Sequence, residues 1–200
     1  MLSFLLASIV VELTPGPNMT WLAVLGAARG RSAALSAVVG VALGLALAGL
    51  VSALGLTVLF DNFPSLLVAL RYAGTLYLFY LAYDAWTDAG SVEAVTIKPK
   101  LAYFTQGFIS NALNPKAYLF YAAILPQFLS SPDQPLQQIA ILTAIYVAIA
   151  TTIHGAIGLL AGSVSGWLAH SPSATTVRRA LAIAIALAAC WFFISTGHLK

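Results

Sequence analysis

Six long apolar stretches, at about 2–28, 33–60, 65–87, 103–129, 137–168 and 174–197, leave this chain little choice of solvent. Hydrocarbon about 30 Å thick takes roughly 20 apolar residues to cross as a helix, and a helix satisfies its own backbone where no water can. Each stretch is long enough. They fill most of the 200 residues, leaving short loops and no room for a separate soluble domain. With 60% hydrophobic residues, only 8% charged and a mean hydropathy of +0.93, the chain is far from the soluble average of roughly 25% charged. The expected fold class is therefore an all-α integral membrane protein of about six transmembrane helices, with residues 1–200 as a single membrane domain.

Turn chemistry marks the breaks: RGRS at 29–32, DNFPS at 61–65, SSPDQP at 130–135 and HSPSATT at 170–176. Only 88–102 is a polar linker of any length, and it separates a first three-helix half, 1–87, from a second, 103–200. With six crossings, Arg29, Arg31, Lys98, Lys100, Arg178 and Arg179 share one side, which the positive-inside rule makes cytoplasmic. Both termini are then expected outside. Trp86 and Tyr103 beside the linker, and Trp167 near the 170s loop, have the placement of interfacial aromatic anchors. The formal charge of +3 comes from scattered loop residues, not a stripe, so no nucleic-acid partner is expected. The single cysteine, Cys190, excludes an intrachain disulfide. The opening MLSFLLASIVVEL has neither a preceding basic residue nor an A-x-A-like cleavage site, and is expected to be retained.

The halves echo each other. Residues 13–25 and 113–125 align at an offset of 100 and match at a leucine, the proline, an alanine and the final leucine. The second helix of each half carries glycines at four-residue spacing, Gly40 and Gly44 in one, Gly158, Gly162 and Gly166 in the other. Such ridges let helix backbones approach closely in lipid. Three crossings per half would invert the second half in the membrane, a transporter design with its site near the midplane.

Chemistry is concentrated where the helices are expected to break. Proline inside a helix removes a hydrogen bond at a cost of about 3 kcal/mol, yet Pro15 and Pro17 fall in the middle of the first span. The freed backbone must face protein or a wet cavity. Thr14, Gly16 and Asn18 add hydroxyl, bare backbone and amide to the same turn, and Asn111, Asn114, Pro115 and Lys116 repeat the arrangement in the fourth span. A charge at a helix centre costs on the order of 2.5–3.5 kcal/mol and marks a pathway or a pair. Glu12 and Lys116 are both central. They can pair with each other, structurally or otherwise, or each can meet one end of a zwitterion, Lys116 the carboxylate and Glu12 the ammonium. The half-helix N-termini beyond Pro17 and Pro115 would add partial positive charge for a carboxylate. Glu12 and His154, whose ordinary pKa is near 6.5, are the candidates for proton coupling, His154 being equally readable as a packing residue. Arg71 and Asp84 read as topological or structural, and Tyr72, Tyr77, Tyr80 and Tyr83 as packing and interface residues.

These elements resemble a known family. ELTPGPNM at 12–19, GVALG at 40–44, YAGTLYLFYLAY at 72–83 and GFISNALNPKAYLFYAAILPQF at 107–128 are similar to segments of the LysE/RhtB amino-acid exporters, in order and over nearly the whole chain. The resemblance implies export of amino acids from the cytoplasm across a bacterial inner membrane. It places Pro15, Gly16, Pro17 and Asn18 in the first motif and Asn114, Pro115 and Lys116 in the second, while Glu12 stands where many members carry an apolar residue.

The reading that follows is a secondary transporter, proton-coupled or potential-driven, for amino acids or similar small polar metabolites. It needs no cofactor and no metal, and it leaves the oligomeric state open, a homo-oligomer included. No GxxxxGK[ST] run is present for ATP. A membrane redox carrier would need a second thiol, and an intramembrane enzyme would need a HExxH-type or nucleophile–base set. A passive channel fits broken helices as well as a transporter does.

Overall fold

The computed structural model describes residues 1–14, 16–55, 65–90, 99–130, 135–171 and 173–195. Pro15, Lys98, Lys200 and linker residues 91–98 lie outside the described residues. Those described form helices α1 (Leu2–Leu13), α2 (Pro17–Arg29), α3 (Arg31–Ala53), α4 (Ser65–Gly90), α5 (Lys100–Ala112), α6 (Pro115–Leu119), α7 (Pro135–Gly162), α8 (Ser165–His170) and α9 (Ala174–Ser195), with no strand. After α6 the chain widens into a π turn at Phe120–Ile124 and tightens into a 3₁₀ turn at Leu125–Phe128. Pro126, which has no N–H to return to the preceding turn, sits at this change of pitch.

Among the described residues, α3, the α7–α8 run and α9 are each long and apolar enough to cross a membrane, and α1 with α2 makes a fourth candidate bent by 62°. The other two expected crossings are α4, which carries Arg71 and Asp84, and the interrupted pair α5–α6. Leu50, Leu76, Leu160, Leu187 and Ile194 are more than half exposed. An apolar sheath of this kind is the surface a helical protein presents to lipid.

Two buried apolar clusters hold the bundle. One joins Trp21, Leu25, Leu81, Tyr103, Ile185 and Phe192 from α2, α4, α5 and α9. The other joins Phe4, Leu45, Phe120, Tyr121 and Tyr146 from α1, α3, the π turn and α7. Tyr103 belongs to the first, with only 4% of its surface exposed, so it is not the interfacial anchor its place beside the linker suggested. It lies on the same face of α5 as Gln106 and Ser110, at spacings of three and four residues, and that face points into the bundle.

Small residues set the distances between helices. α3 lies along α5, with Gly40 against the backbone of Phe104 and Phe108 and Gly107 against the carbonyl of Ala37. On the other side α7 packs on α2 and α3, with Gly158 facing Gly26 and Ala34, and Gly162 facing Arg31. Gly44 meets Asn111, which fixes the height at which α5 ends beside α3. The two breaks are thereby held next to each other between α3 and α7.

Candidate functional site

Each break follows from what its prolines remove. α1 stops at Leu13 and α2 starts at Pro17, which occupies a helical position where its missing N–H is not required. The hydroxyl of Thr14 turns back to the carbonyl of Val10 at 2.8 Å, while the backbone carbonyl of Thr14 is left outside the helix. Lys116 takes it: its Nζ donates to that carbonyl at 3.1 Å. At the second break Asn114 caps α6, its Oδ1 accepting the N–H of Lys116 at 3.1 Å, with Pro115 next as first helical residue. The second broken helix thus supplies a donor for a carbonyl that the first has freed, and caps its own restart.

Side chains then connect the two breaks. Nδ2 of Asn18 donates to Oδ1 of Asn111 at 2.9 Å, and the hydroxyl of Ser110 donates to Oδ1 of Asn18 at 2.5 Å. Asn18, Ser110, Asn111 and Asn114 are all buried. Glu12 is buried too, 5% exposed, and does not pair with Lys116 as one expectation had it. Its Oε1 accepts the hydroxyl of Tyr146, and its Oε2 lies 3.4 Å from Nε2 of His154. Geometry explains the choice: Glu12 lies on the α1 face with Phe4 and Ser8 that packs toward α7, whereas Lys116, second residue of α6, turns back to the chain end freed at Thr14. Tyr146 is held by ring stacking on Phe120, centroids 3.6 Å apart.

Between these groups lies a cavity of about 20 Å³ walled by Glu12, Gly16, Pro17, Asn18, Asn111, Asn114, Lys116, Tyr146 and His154. That is room for about one water molecule. A Cβ at Gly16 would lie 3.9 Å from Nζ of Lys116, an ordinary van der Waals contact, so the lysine ends close beside this turn without glycine being required there. Nδ2 of Asn111 and Nδ1 of His154 are buried and have no hydrogen-bond partner. Buried polar groups are seldom left so, and two on one cavity mark it as built for something polar. Among the described residues no three His, Cys, Asp or Glu side chains cluster as a metal site would require.

Of the residues singled out in the sequence, Glu12, Gly16, Pro17, Asn18, Asn111, Asn114, Lys116 and His154 meet at this cavity, and Pro115 begins the helix beneath it. Thr14 contributes its carbonyl from the side, and Pro15 is outside the described residues. Gly40, Gly44, Gly158 and Gly162 do not wall it but stand at helix contacts, Gly44 against Asn111 of the wall. Sequence reasoning missed Tyr146, Ser110 and Ser8, whose buried hydroxyl has no partner. A signal for Tyr146 was present, because Leu142, Tyr146, Ala150, His154, Gly158 and Gly162 recur every four residues along one face of α7, and all six are buried.

The family model for LysE type translocators matches residues 9–196, which takes in both breaks and every group around the cavity. The chain belongs to the LysE type translocator family. Among the curated relatives of this LysE-type chain, the homoserine/homoserine lactone efflux protein of Salmonella typhimurium is 25% identical over 169 residues, covering 83% of this chain and 82% of that protein. The leucine efflux protein of Salmonella choleraesuis is 32% identical over 131 residues, 64% of this chain and 62% of that protein. An uncharacterized membrane protein of Pseudomonas aeruginosa is 35% identical over 134 residues, 63% of this chain and 62% of that protein. No solved structure matches. As a LysE-type translocator, the chain has its buried polar groups gathered where two interrupted helices meet, a place where irregular backbone is tolerated at membrane depth.

Proposed function

We propose that this protein is a secondary transporter that exports amino acids or closely related small polar metabolites from the cytoplasm across a bacterial inner membrane. The supporting observation is the cavity itself: a buried carboxylate, Glu12, and an ammonium, Lys116, lie across it from each other without forming a pair. An α-amino acid presents the complementary charges. Its carboxylate would replace the Thr14 carbonyl on Lys116 and meet the N-terminal end of α2 at Gly16 and Pro17. Its ammonium would join Glu12, and the unpartnered Asn111 amide would take a remaining acceptor. The efflux functions named for the Salmonella relatives agree with this class of substrate.

A cavity of about 20 Å³ admits no amino acid as it stands, so substrate must enter by movement of the helices around it. Helix pairings support a two-half mechanism. α3 meets α5 while α7 meets α1 and α2, and exchanging the halves turns this set of pairings into itself, with α3–α7 and α4–α9 unchanged. Six crossings in two inverted halves, rocking against each other, would give alternating access. Glu12 and His154 supply the coupling: a proton arriving from outside can neutralise the Glu12 carboxylate and release the substrate's ammonium.

Lys116→Ala tests the reading in cells loaded with labelled amino acids, where export is read as efflux, or in inverted vesicles given them in the medium, where it is read as uptake. It is expected to reduce efflux at least tenfold while the protein remains in the membrane at wild-type level, since a charge-assisted contact is worth about 1.5–3 kcal/mol. Undiminished efflux would remove Lys116 from the mechanism, and the absence of efflux of any amino acid by the wild type would end the exporter reading.

A further inference from the structure

A second cavity lies beyond the central one, toward the end of the bundle where the basic residues gather. It measures about 40 Å³, with Trp21, Leu81, Tyr103 and Ile185 as its apolar wall and Asp84, Gln106 and Arg178 among its polar groups. Two helix faces run to it from the central cavity. On α2, Asn18, Trp21, Leu25 and Arg29 recur at spacings of three, four and four; Asn18 lines the central cavity and the other three the outer one. On α5, Ser110 bonds to Asn18, while Gln106 and Tyr103, four and seven residues earlier, line the outer cavity. From Asn18 to Arg29 is about 16 Å at 1.5 Å per residue. Trp21, one turn from Asn18 and 3% exposed, stands between the two spaces.

The outer cavity repeats the charge pair of the inner one. Asp84 on α4 holds the side-chain amide of Gln106 at 3.3 Å, and Arg178 reaches in from the first turns of α9. Nε of Arg178 is buried and has no hydrogen-bond partner. That nitrogen and one terminal nitrogen form the edge with which a guanidinium grips a carboxylate in two parallel bonds. Leaving such a donor buried and unused is costly, and a carboxylate would supply the acceptor it lacks.

We propose that this outer cavity, once widened by the same movement of the helices that opens the central one, is a loading site, where a cytoplasmic amino acid docks with its carboxylate on Arg178, its ammonium toward Asp84 and its side chain against Trp21, before passing to Lys116 and Glu12. The proposal rests on the exporter reading and goes beyond it by adding a second, separate substrate site on the same path. It gives Trp21 the task of closing one site from the other. Substrate moves between two places of the same charge arrangement, so neither end of the zwitterion is abandoned in an apolar passage.

Inverted vesicles, which expose the basic end to the medium, test it with L-homoserine and L-leucine as probes, using whichever the wild type takes up. Arg178→Gln is expected to raise KM about tenfold, with the maximal rate within about twofold, because the lost contact serves docking and not the later steps. The corresponding amino-acid amide, which has no carboxylate, separates a binding role from a structural one: its inhibition constant should be the same for wild type and Arg178→Gln. Arg178→Lys keeps the charge and loses the two-pronged edge, and should give an intermediate KM; it serves in place of Arg178→Gln should that variant fail to reach the membrane. An unchanged KM in a transporting protein, or equal weakening of acid and amide, would overturn the loading site and leave the exporter reading standing. Wild-type vesicles that take up neither probe nor any other amino acid would sink both.

Discussion

The carboxylate of Glu12 is the residue that most needs explaining, because an ionisable group inside a spanning helix is retained only with partners or a task. Its partners are Tyr146 and His154, both from α7, and a cavity with room for about one water molecule cannot replace both. Tyr146→Phe should therefore leave one carboxylate oxygen unsatisfied and lower stability by about 1–3 kcal/mol, read as a drop in Tm of the detergent-purified protein. In a Glu12→Gln background the same change should cost less than half as much, since the charge that needed the hydroxyl is gone; strictly additive losses would mean the contact does not matter to stability. Glu12→Gln alone should also change the pH profile or the choice of exported amino acid, and an identical profile and selectivity would reduce Glu12 to a structural role. Much of this site was legible from the chain because Glu12, Asn18, Asn111, Lys116 and His154 are polar letters within apolar runs. Tyr146 was not, since a tyrosine among apolar residues reads as packing until the four-residue stripe on α7 is noticed. The neighbours of Glu12 were left open for a related reason: spacing along the chain locates a charge on its own helix but does not say whether its face meets Lys116, a substrate or, as in the structure, Tyr146 and His154.

At the scale of elements, the breaks were readable and the helix contacts only half so. Proline and asparagine announce where α1 and α5 end, because the lost hydrogen bonds are local facts of the chain. Glycine ridges on α3 and α7 were equally visible, but Gly107 and Gly26, which receive those ridges, are isolated in sequence and carry no pattern of their own. Their importance depends on a neighbour's backbone. A Cβ at Gly107 would collide with the carbonyl of Ala37, and one at Gly40 with that of Phe104; backbone cannot move aside as a side chain can. Gly107→Val is expected to cost several kcal/mol by driving α3 and α5 apart, and to give aggregated or degraded protein on size-exclusion chromatography. Gly155→Ala makes the opposite case within α7. An added Cβ there meets nothing within 4 Å, and alanine is the better helix former by roughly 0.5–1 kcal/mol. Its Tm should rise slightly with export intact, and a fall would show that α7 needs freedom beside His154.

For the whole molecule the decisive question is which end faces the cytoplasm, since that alone turns a transporter of this design into an exporter with a loading site on the correct side. The structure brings the basic residues together. Nε of Arg31 donates to the carbonyl of Leu159, joining the start of α3 to the end of α7, and Arg179 stacks over Trp86, joining the start of α9 to the end of α4. Arg29, Tyr103 and Arg178 share the outer cavity, which puts the end of α2 and the start of α5 at the same end. At the opposite end Arg71 is committed to the carbonyl of Phe193 through two nitrogens, at 3.1 and 2.6 Å, and Phe4 meets Phe128. Among the described residues the first end therefore has Arg29, Arg31, Lys100, Arg178 and Arg179, against Arg71 alone, an asymmetry that should orient the bundle with its basic end inside. A green fluorescent protein fused after residue 200 should be dark and an alkaline phosphatase there active, while the same pair inserted between α4 and α5 should show the reverse. A fluorescent C-terminal fusion would invert the bundle or change the number of crossings, and the cavity with Arg178 would then open to the outside, where it could receive substrate only for uptake.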